Sequence, residues 1–387
     1  MTSPFKKVAY YSSWSIYSSK YPPQNIPAAN LTHLMYAFAN IANGCVVLGD
    51  SWADTQISYG DKNKFNGIGG AFGYLNSPTG DFRAKNPSIK TLISVGGWTW
   101  SKSFSTCAST PQSRSIFAKS IADFVTKYGF DGVDIDWEYP VGGGDPGNTT
   151  SPADGVNYVL LLNEIRNELN RVGGQNKQYQ LSVAMSSISS IAGHVNIKAV
   201  SDVVDFINIM SYDFSGPWSQ TTQYNSNLFL DANRSTPLSV DGSVTYYLSQ
   251  GANPRKLVCG TPFCGKLFSN VSLTKNQIIP GLNEKYRGVP GTSEFPGMVD
   301  NGIISYTGLQ QLMVPNNQYG FVTTYDNTAQ TASMYSSKLK VWISFENETS
   351  LISKCNYVRG KSLGGLMIWE LSQDKNNSLA PILSRNL

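Results

Sequence analysis

Four carboxylic acids fall within eight positions of the chain, at Asp131, Asp134, Asp136 and Glu138, interleaved with the apolar Val133, Ile135 and Trp137. On a β-strand side chains alternate between faces, so Asp134, Asp136 and Glu138 form one column while Val133, Ile135 and Trp137 face the other way. Successive acids in such a column stand about 6–7 Å apart along the strand, where like charges disfavour simultaneous ionisation. One of them therefore keeps a proton near neutral pH, and a carboxylic acid held in that state is a general acid for a leaving-group oxygen. Asp131 has the opposite parity and is assigned a structural place at the strand's start. A metal site would draw on the same carboxylates, since Mg²⁺ and Ca²⁺ take acidic clusters, but no His or additional Asx lies in this segment. An edge strand fits poorly because the alternate face is apolar and calls for burial. No metal and no cofactor is expected.

The elements that must hold this column follow from periodicity. Strands are predicted over 7–11, 33–40, 90–98, the acidic segment itself, 180–185, 203–210, 256–262 and 364–369. Before the acidic strand, Thr110 caps a helix, Pro111 takes its first position, and Phe117, Ile121, Phe124, Val125 and Tyr128 recur at helical spacing until Gly129 stops it. A second helix is predicted to open at 151–154, with Val156, Val159, Leu160, Ile165, Leu169 and Val172 as its apolar face and Gly173-Gly174 at its end; a third covers 243–250. Eight strands separated by helix-length segments argue for an α/β fold, a parallel (β/α)₈ TIM barrel. One interval, 266–338, is too long for a loop and lacks long helical periodicity, so it is expected to form a small α+β subdomain inserted between strands seven and eight. The barrel then comprises 1–265 and 339–387.

Composition narrows the partners. The chain has 387 residues, a formal net charge of +4 and 14% charged residues without basic runs, so no nucleic acid is suggested. No apolar run reaches the ~20 residues of a membrane span, and the first seven residues show no apolar signal core. Asn-x-Ser/Thr triplets at Asn30, Asn148, Asn233, Asn270, Asn347 and Asn376 lean toward an extracellular, secreted location. Five cysteines, at Cys45, Cys107, Cys259, Cys264 and Cys355, show no metal spacing, and their odd number leaves at least one unpaired within a monomer. Most of the eight Trp and 21 Tyr are expected to fill the core, with a few serving as flat platforms for sugar rings.

The pattern Asp131-x-x-Asp134-x-Asp136-x-Glu138, read with Trp137 and Tyr139-Pro140, resembles the signature of family 18 glycoside hydrolases, the chitinases. Ser94-x-Gly96-Gly97 resembles that family's second signature, and Met210-Ser211-Tyr212-Asp213 its sixth-strand motif. The resemblance extends from Tyr10 to Asp374. It implies that Glu138 protonates the glycosidic oxygen and later acts as base, and that Asp136 holds the substrate's N-acetyl group and shares a proton with Asp134 or Glu138. Asp134 would keep the pKa values of the column apart. By the same resemblance Tyr212 hydrogen-bonds the acetamido oxygen with Asp213 beside it, next to Met210. Trp369 would form the floor of the sugar site and Trp98 the leaving-group side, with Tyr10, Phe38, Trp218 and Tyr139 as further lining. Taken alone, a Tyr-Asp pair after a strand is most often structural and an isolated Trp most often core. The chain departs from the family where an aromatic-Gly-Arg element usually follows strand seven. Here the run is Pro262-Phe263-Cys264-Gly265-Lys266, which removes a ring and a guanidinium from one groove contact.

The residues themselves leave a nucleophile unaccounted for. A retaining enzyme uses a second carboxylate about 5 Å across the sugar and an inverting one about 6.5–9.5 Å away, yet all four acids of the motif share one strand. The resemblance implies the answer: the substrate's own 2-acetamido oxygen attacks, and the protein orients that group and stabilises the cation it forms. The expected function is hydrolysis of β-1,4-N-acetylglucosamine linkages in chitin or its oligosaccharides by a monomer. A lectin-like chitin binder on the same barrel is a second reading, disfavoured because Glu138 is present. An endo-N-acetylglucosaminidase acting on glycoprotein glycans is a third.

Overall fold

The odd-even alternation read along the acidic segment sets the layering of the whole barrel. The computed structural model describes residues 5–232, 237–274 and 278–387, so Asn233 of the triplets lies outside the described residues. Eight strands pair in parallel: Lys6–Ser12, His33–Ala42, Lys90–Gly96, Gly132–Asp136, Gln180–Ser186, Phe206–Met210, Leu257–Pro262 and Gly365–Trp369. They follow one another around the ring in chain order, and the eighth pairs with the first, so the sheet closes on itself as a TIM barrel. The hairpin strand Cys45–Val47 hangs antiparallel on the second. Strand six starts later than its sequence suggests, because Val203 still belongs to the helix Ile197–Val203. Strand three stops at Gly96, ahead of a 3₁₀ turn over Trp98–Trp100.

Val133, Ile135 and Trp137 point out of the barrel into the layer shared with the helices. Trp137 stacks on Phe104 at 5.4 Å and meets Tyr158 edge-on at 5.4 Å. The helix Pro111–Tyr128 has the predicted limits: Thr110 accepts from the Ser113 amide in a capping box, and Gly129 closes it in the left-handed region at φ 78°. Asp131 anchors the start of strand four through Arg83 at 2.9 Å and Lys177 at 3.5 Å.

The second long helix, Asp154–Gly173, opens within the predicted 151–154 but buries a different face from the one expected. Asp154 organises its start: its Oδ2 accepts from the Ser151 amide at 2.7 Å and its Oδ1 from Ser105 Oγ at 2.7 Å. Its buried face runs through Tyr158, Leu161, Leu162, Ile165 and Leu169, which leaves Val156 (69% exposed) and Leu160 (44%) in solvent. A helix this rich in aliphatics offers two overlapping apolar faces, and only docking selects one. The third helix spans Val240–Ser249 and is capped by Ser239.

Between strands seven and eight lies a second, antiparallel sheet of six strands. Its order is Met298–Asp300, Ile303–Ser305, Cys264–Phe268, Val341–Phe345, Thr331–Ser336 and Phe321–Asp326. The sheet takes in Cys264 and Gly265 at one end and runs on to Phe345 at the other, beyond the limits 266 and 338 read from the sequence. A core of its own gathers Tyr224, Phe268, Val271, Leu282, Ala329 and Trp342. All five cysteines are free thiols. Among the described residues no helix is long and apolar enough to cross a membrane, and no group of three or more His, Cys, Asp or Glu is disposed to hold a metal ion.

Candidate active site

Asp134 sits at the centre of the barrel, fully buried, and its carboxylate collects hydroxyls from three other strands. Tyr10 donates to Oδ2 at 2.7 Å, Ser94 to Oδ2 at 2.8 Å and Ser182 to Oδ1 at 2.6 Å. Register explains two of these: Ser94 and Ser182 are the Cα partners of Asp134 on strands three and five, so their side chains enter the interior at the same height. Tyr10 reaches across from strand one, and Asn208 on strand six donates to its hydroxyl at 3.3 Å. Burial raises the Asp134 pKa, and the hydroxyl donors act against that rise by stabilising the anion.

One step up the column, Asp136 has no such support. It is buried, and its Oδ1 has no hydrogen-bond partner in the protein. Burial, then the neighbouring Glu138, then Asp134 push its pKa well above the ordinary carboxylate range. Glu138 follows at the mouth. Burial drives its pKa up to about 7, a hydrogen bond from the Tyr139 side chain works against that, and the charge of Asp213 adds to the rise. Asp134, with three donors, is the member best held as an anion, so the proton of the column belongs to the Asp136–Glu138 pair.

The backbone around Glu138 is tied on both sides. Its amide donates to Ser101 Oγ at 2.8 Å, its carbonyl accepts from Asn148 Nδ2 at 2.8 Å, and Ser101 Oγ in turn donates to the Gly97 carbonyl at 2.9 Å. Gly96 permits this approach: a Cβ there would lie 2.4 Å from the Asp136 carbonyl oxygen, at a φ of 105° that side chains avoid. The Ser94-x-Gly96-Gly97 run thus supplies a donor to the column and the clearance for strand four.

A cleft of about 490 Å³ opens over these carboxyls at the C-terminal ends of the strands. Asp136 and Glu138 reach it with Tyr10, Phe38, Trp98, Met210, Tyr212, Asp213 and Trp369. Trp369 is stacked by Phe38 at 6.0 Å and met edge-on by Tyr10 at 5.5 Å. Trp98 is half exposed at the rim. Tyr212 fits because Gly260 faces it, where a Cβ would come within 2.7 Å of the ring. Burial and the surrounding carboxyls hold its phenol protonated, so it remains a donor, and its hydroxyl lies against Met367 Sδ at 4.0 Å. Asp213 pairs with Lys266 at 2.9 Å.

Two predicted lining residues stand apart from this wall. Tyr139 lies against Glu138 rather than in the cleft. Trp218, 65% exposed, has the Lys266 ammonium 5.9 Å from its ring centroid and is not among the residues lining the cleft. Sequence reasoning missed Trp14, which stacks on Phe38 at 6.1 Å and extends the aromatic wall, and also Thr99, Trp100 and Ala184. Ser182 could have been found once strand neighbours were drawn, since it shares the inward parity of Asp134. Ser101 comes from a loop and carried no signal, and Asn148, also on a loop, stood out only as an Asn-x-Thr triplet, which gave none for this role.

Comparison with known proteins agrees with this geometry. The model of the family described as "Glycosyl hydrolases family 18" matches residues 6–374. The chain is 34% identical to Chitinase A1 of Niallia circulans, over 99% of its own length and 58% of that protein's. It is 33% identical to Endochitinase 1 of Metarhizium robertsii, over 96% of its own length and 82% of the relative's. Among solved structures, chitinase ChiA74 from Bacillus thuringiensis superposes with a TM-score of 0.89 at 33% identity, covering 99% of this chain and 69% of that one.

Proposed function

The chain belongs to the glycosyl hydrolases of family 18 and is a glycoside hydrolase, and from that premise we propose that it cleaves β-1,4-N-acetylglucosamine linkages of chitin and its oligosaccharides with retention, using the substrate's own acetamido group as nucleophile. The observation that carries the reading is the column itself: a protonatable Glu138 at the cleft, an unpartnered Asp136 oxygen beneath it, and Tyr212 held as a phenol among them.

In this reading Glu138 gives its proton to the glycosidic oxygen as the bond breaks. The acetamido oxygen closes on the anomeric carbon, and the resulting oxazolinium carries its positive charge beside Asp136. Asp136 Oδ1 accepts from the acetamido N–H while Tyr212 donates to its oxygen, which fixes the group in the attacking position. Glu138, now a carboxylate, removes a proton from the water that opens the ring. Asp213, the third carboxyl of the cleft, is engaged by Lys266, which suits a supporting charge better than a nucleophile. Trp369 supplies the flat face for the sugar at the scissile bond. On this reading the enzyme works as a monomer and outside the cell, where an insoluble polymer would be met.

The test is stereochemical. A chromogenic chitobiose derivative should be turned over with the β anomer formed first, and fully deacetylated chitosan should be left intact. Initial release of the α anomer, or efficient cleavage of the deacetylated polymer, would overturn the internal nucleophile.

A further inference from the structure

Lys354 lies on the helix Glu348–Gly360, on the far side of strand seven from the cleft, and its ammonium is sealed from solvent with 1% of the side chain exposed. It is paired with Glu346 Oε1 at 2.6 Å, and burial lowers its pKa. Replacing a buried pair by apolar groups of similar volume is often neutral for stability, so stability alone does not account for this one. The remaining hydrogen bonds show where this one leads. Lys354 Nζ donates to Ser226 Oγ at 2.8 Å, and Ser226 Oγ donates onward to the Ser211 carbonyl at 2.6 Å. Ser211 is the residue immediately before Tyr212 and Asp213.

A second set of ties reaches the same turn from the neighbouring residue. The Asp213 amide donates to Asn225 Oδ1 at 3.0 Å, the Phe214 amide to the Asn225 carbonyl at 3.1 Å, and the Asn225 amide to Ser344 Oγ at 2.9 Å. Ser344 lies on the strand Val341–Phe345 of the inserted sheet, two residues before Glu346. Asp213 holds a left-handed φ of 55°, a conformation that a side-chain-bearing residue keeps when its surroundings impose it.

We propose that Lys354 is a positioning residue of the active site: anchored by Glu346 at the exit of the inserted sheet, it acts through Ser226 to fix the Ser211 carbonyl, and thereby the orientation of Tyr212 and Asp213 in the cleft. The inserted sheet is on this account a support for the turn. The proposal rests on the reading of Tyr212 and Asp213 as the groups that orient the sugar's amide.

Three variants test it together. Ser226→Ala leaves the buried ion pair in place and cuts only the link to Ser211. Lys354→Met combined with Glu346→Leu removes both charges and leaves no lone buried ion. Tyr212→Phe is the control for the underlying reading. If Lys354 positions the turn, Ser226→Ala and the double variant each lower kcat about five- to tenfold, with KM changed less than twofold and cooperative thermal unfolding retained. The alkaline limb of the kcat/KM profile also moves to lower pH, because Asp213 no longer stands where it raises the Glu138 pKa. A purely structural role would move the melting temperature and leave both the limb and kcat where they are. That outcome, with Tyr212→Phe strongly impaired, overturns the relay alone; an unimpaired Tyr212→Phe overturns the reading beneath it and the relay with it.

Discussion

The Lys266 ammonium meets Asp213 Oδ1 at 2.9 Å with its own side chain almost wholly buried. Burial works against that ammonium, yet Asp213, with smaller help from Cys264 and Asp300, outweighs it and the Lys266 pKa is raised. The chain carries lysine where its family usually carries arginine, and the cation is kept while the forked geometry is lost. Burial is the main cause that pushes Glu138 up and Asp213 adds to it, so the pair contributes to the charge that the acid experiences.

That relationship sets the pH dependence. As the proposed general acid, Glu138 acts only when protonated, so kcat/KM should fall as pH rises through about 7. Asp213→Asn removes a negative neighbour and should shift this limb to lower pH; Lys266→Met removes the compensating cation and should shift it higher, each by about half a unit to one unit. Profiles of the three proteins on one soluble chitooligosaccharide check the signs, and shifts in the same direction would rule the account out.

Glu138→Gln should lower kcat about 10²- to 10⁴-fold while the fold persists. Its effect on stability has a definite sign. The folded-state pKa of about 7 lies above the ordinary value of 4.5, so ionising Glu138 penalises the native state, not at all below pH 4 and fully above pH 7. The amide removes that penalty. The variant should therefore be more stable than the parent by about 1–3 kcal/mol at pH 8 and equal to it at pH 4. Urea unfolding at the two pH values measures this, and an equal difference at both would refute it.

Trp137→Ala deletes the ring stacked on Phe104 beneath the acid column. It should cost about 3–5 kcal/mol in denaturant unfolding, the range for large aromatic truncations in a core.

Asn148→Ala leaves every carboxyl of the column in place but frees the Glu138 carbonyl, held by the Asn148 amide at 2.8 Å. A loss of about five- to tenfold in kcat with little change in melting temperature is expected, since a small displacement of an acid is felt by the chemistry more than by the fold. Unchanged kcat would show that Ser101 suffices to hold the Glu138 backbone.

Alternation along a strand is a local property, and everything governed by it was legible in the chain. Val133, Ile135 and Trp137 face the helices as their parity requires, and Asp134, Asp136 and Glu138 face the barrel and its cleft. The helix Pro111–Tyr128 began and ended where Thr110 and Gly129 signalled, because capping is a matter of a few adjacent residues. The acids of the column were visible for the same reason, whereas Tyr212 and Asp213, just past the end of strand six, were marked only by resemblance to the family motif.

Closure of the barrel decided the rest. The hydroxyls of Tyr10, Ser94 and Ser182 converge on Asp134 from strands distant in the chain; parity turns them inward, but only the strand order and register of the closed barrel bring them to one height. Loop residues such as Ser101, Asn148 and Trp14 obey no period, so their direction exists only once both ends of the loop are placed. Trp218 looked like lining and stands outside the cleft, while Val156 and Leu160 looked like core and face solvent. In each case residue type and local pattern set what a side chain could do, and the packing of segments far apart in the chain chose which of those possibilities became real.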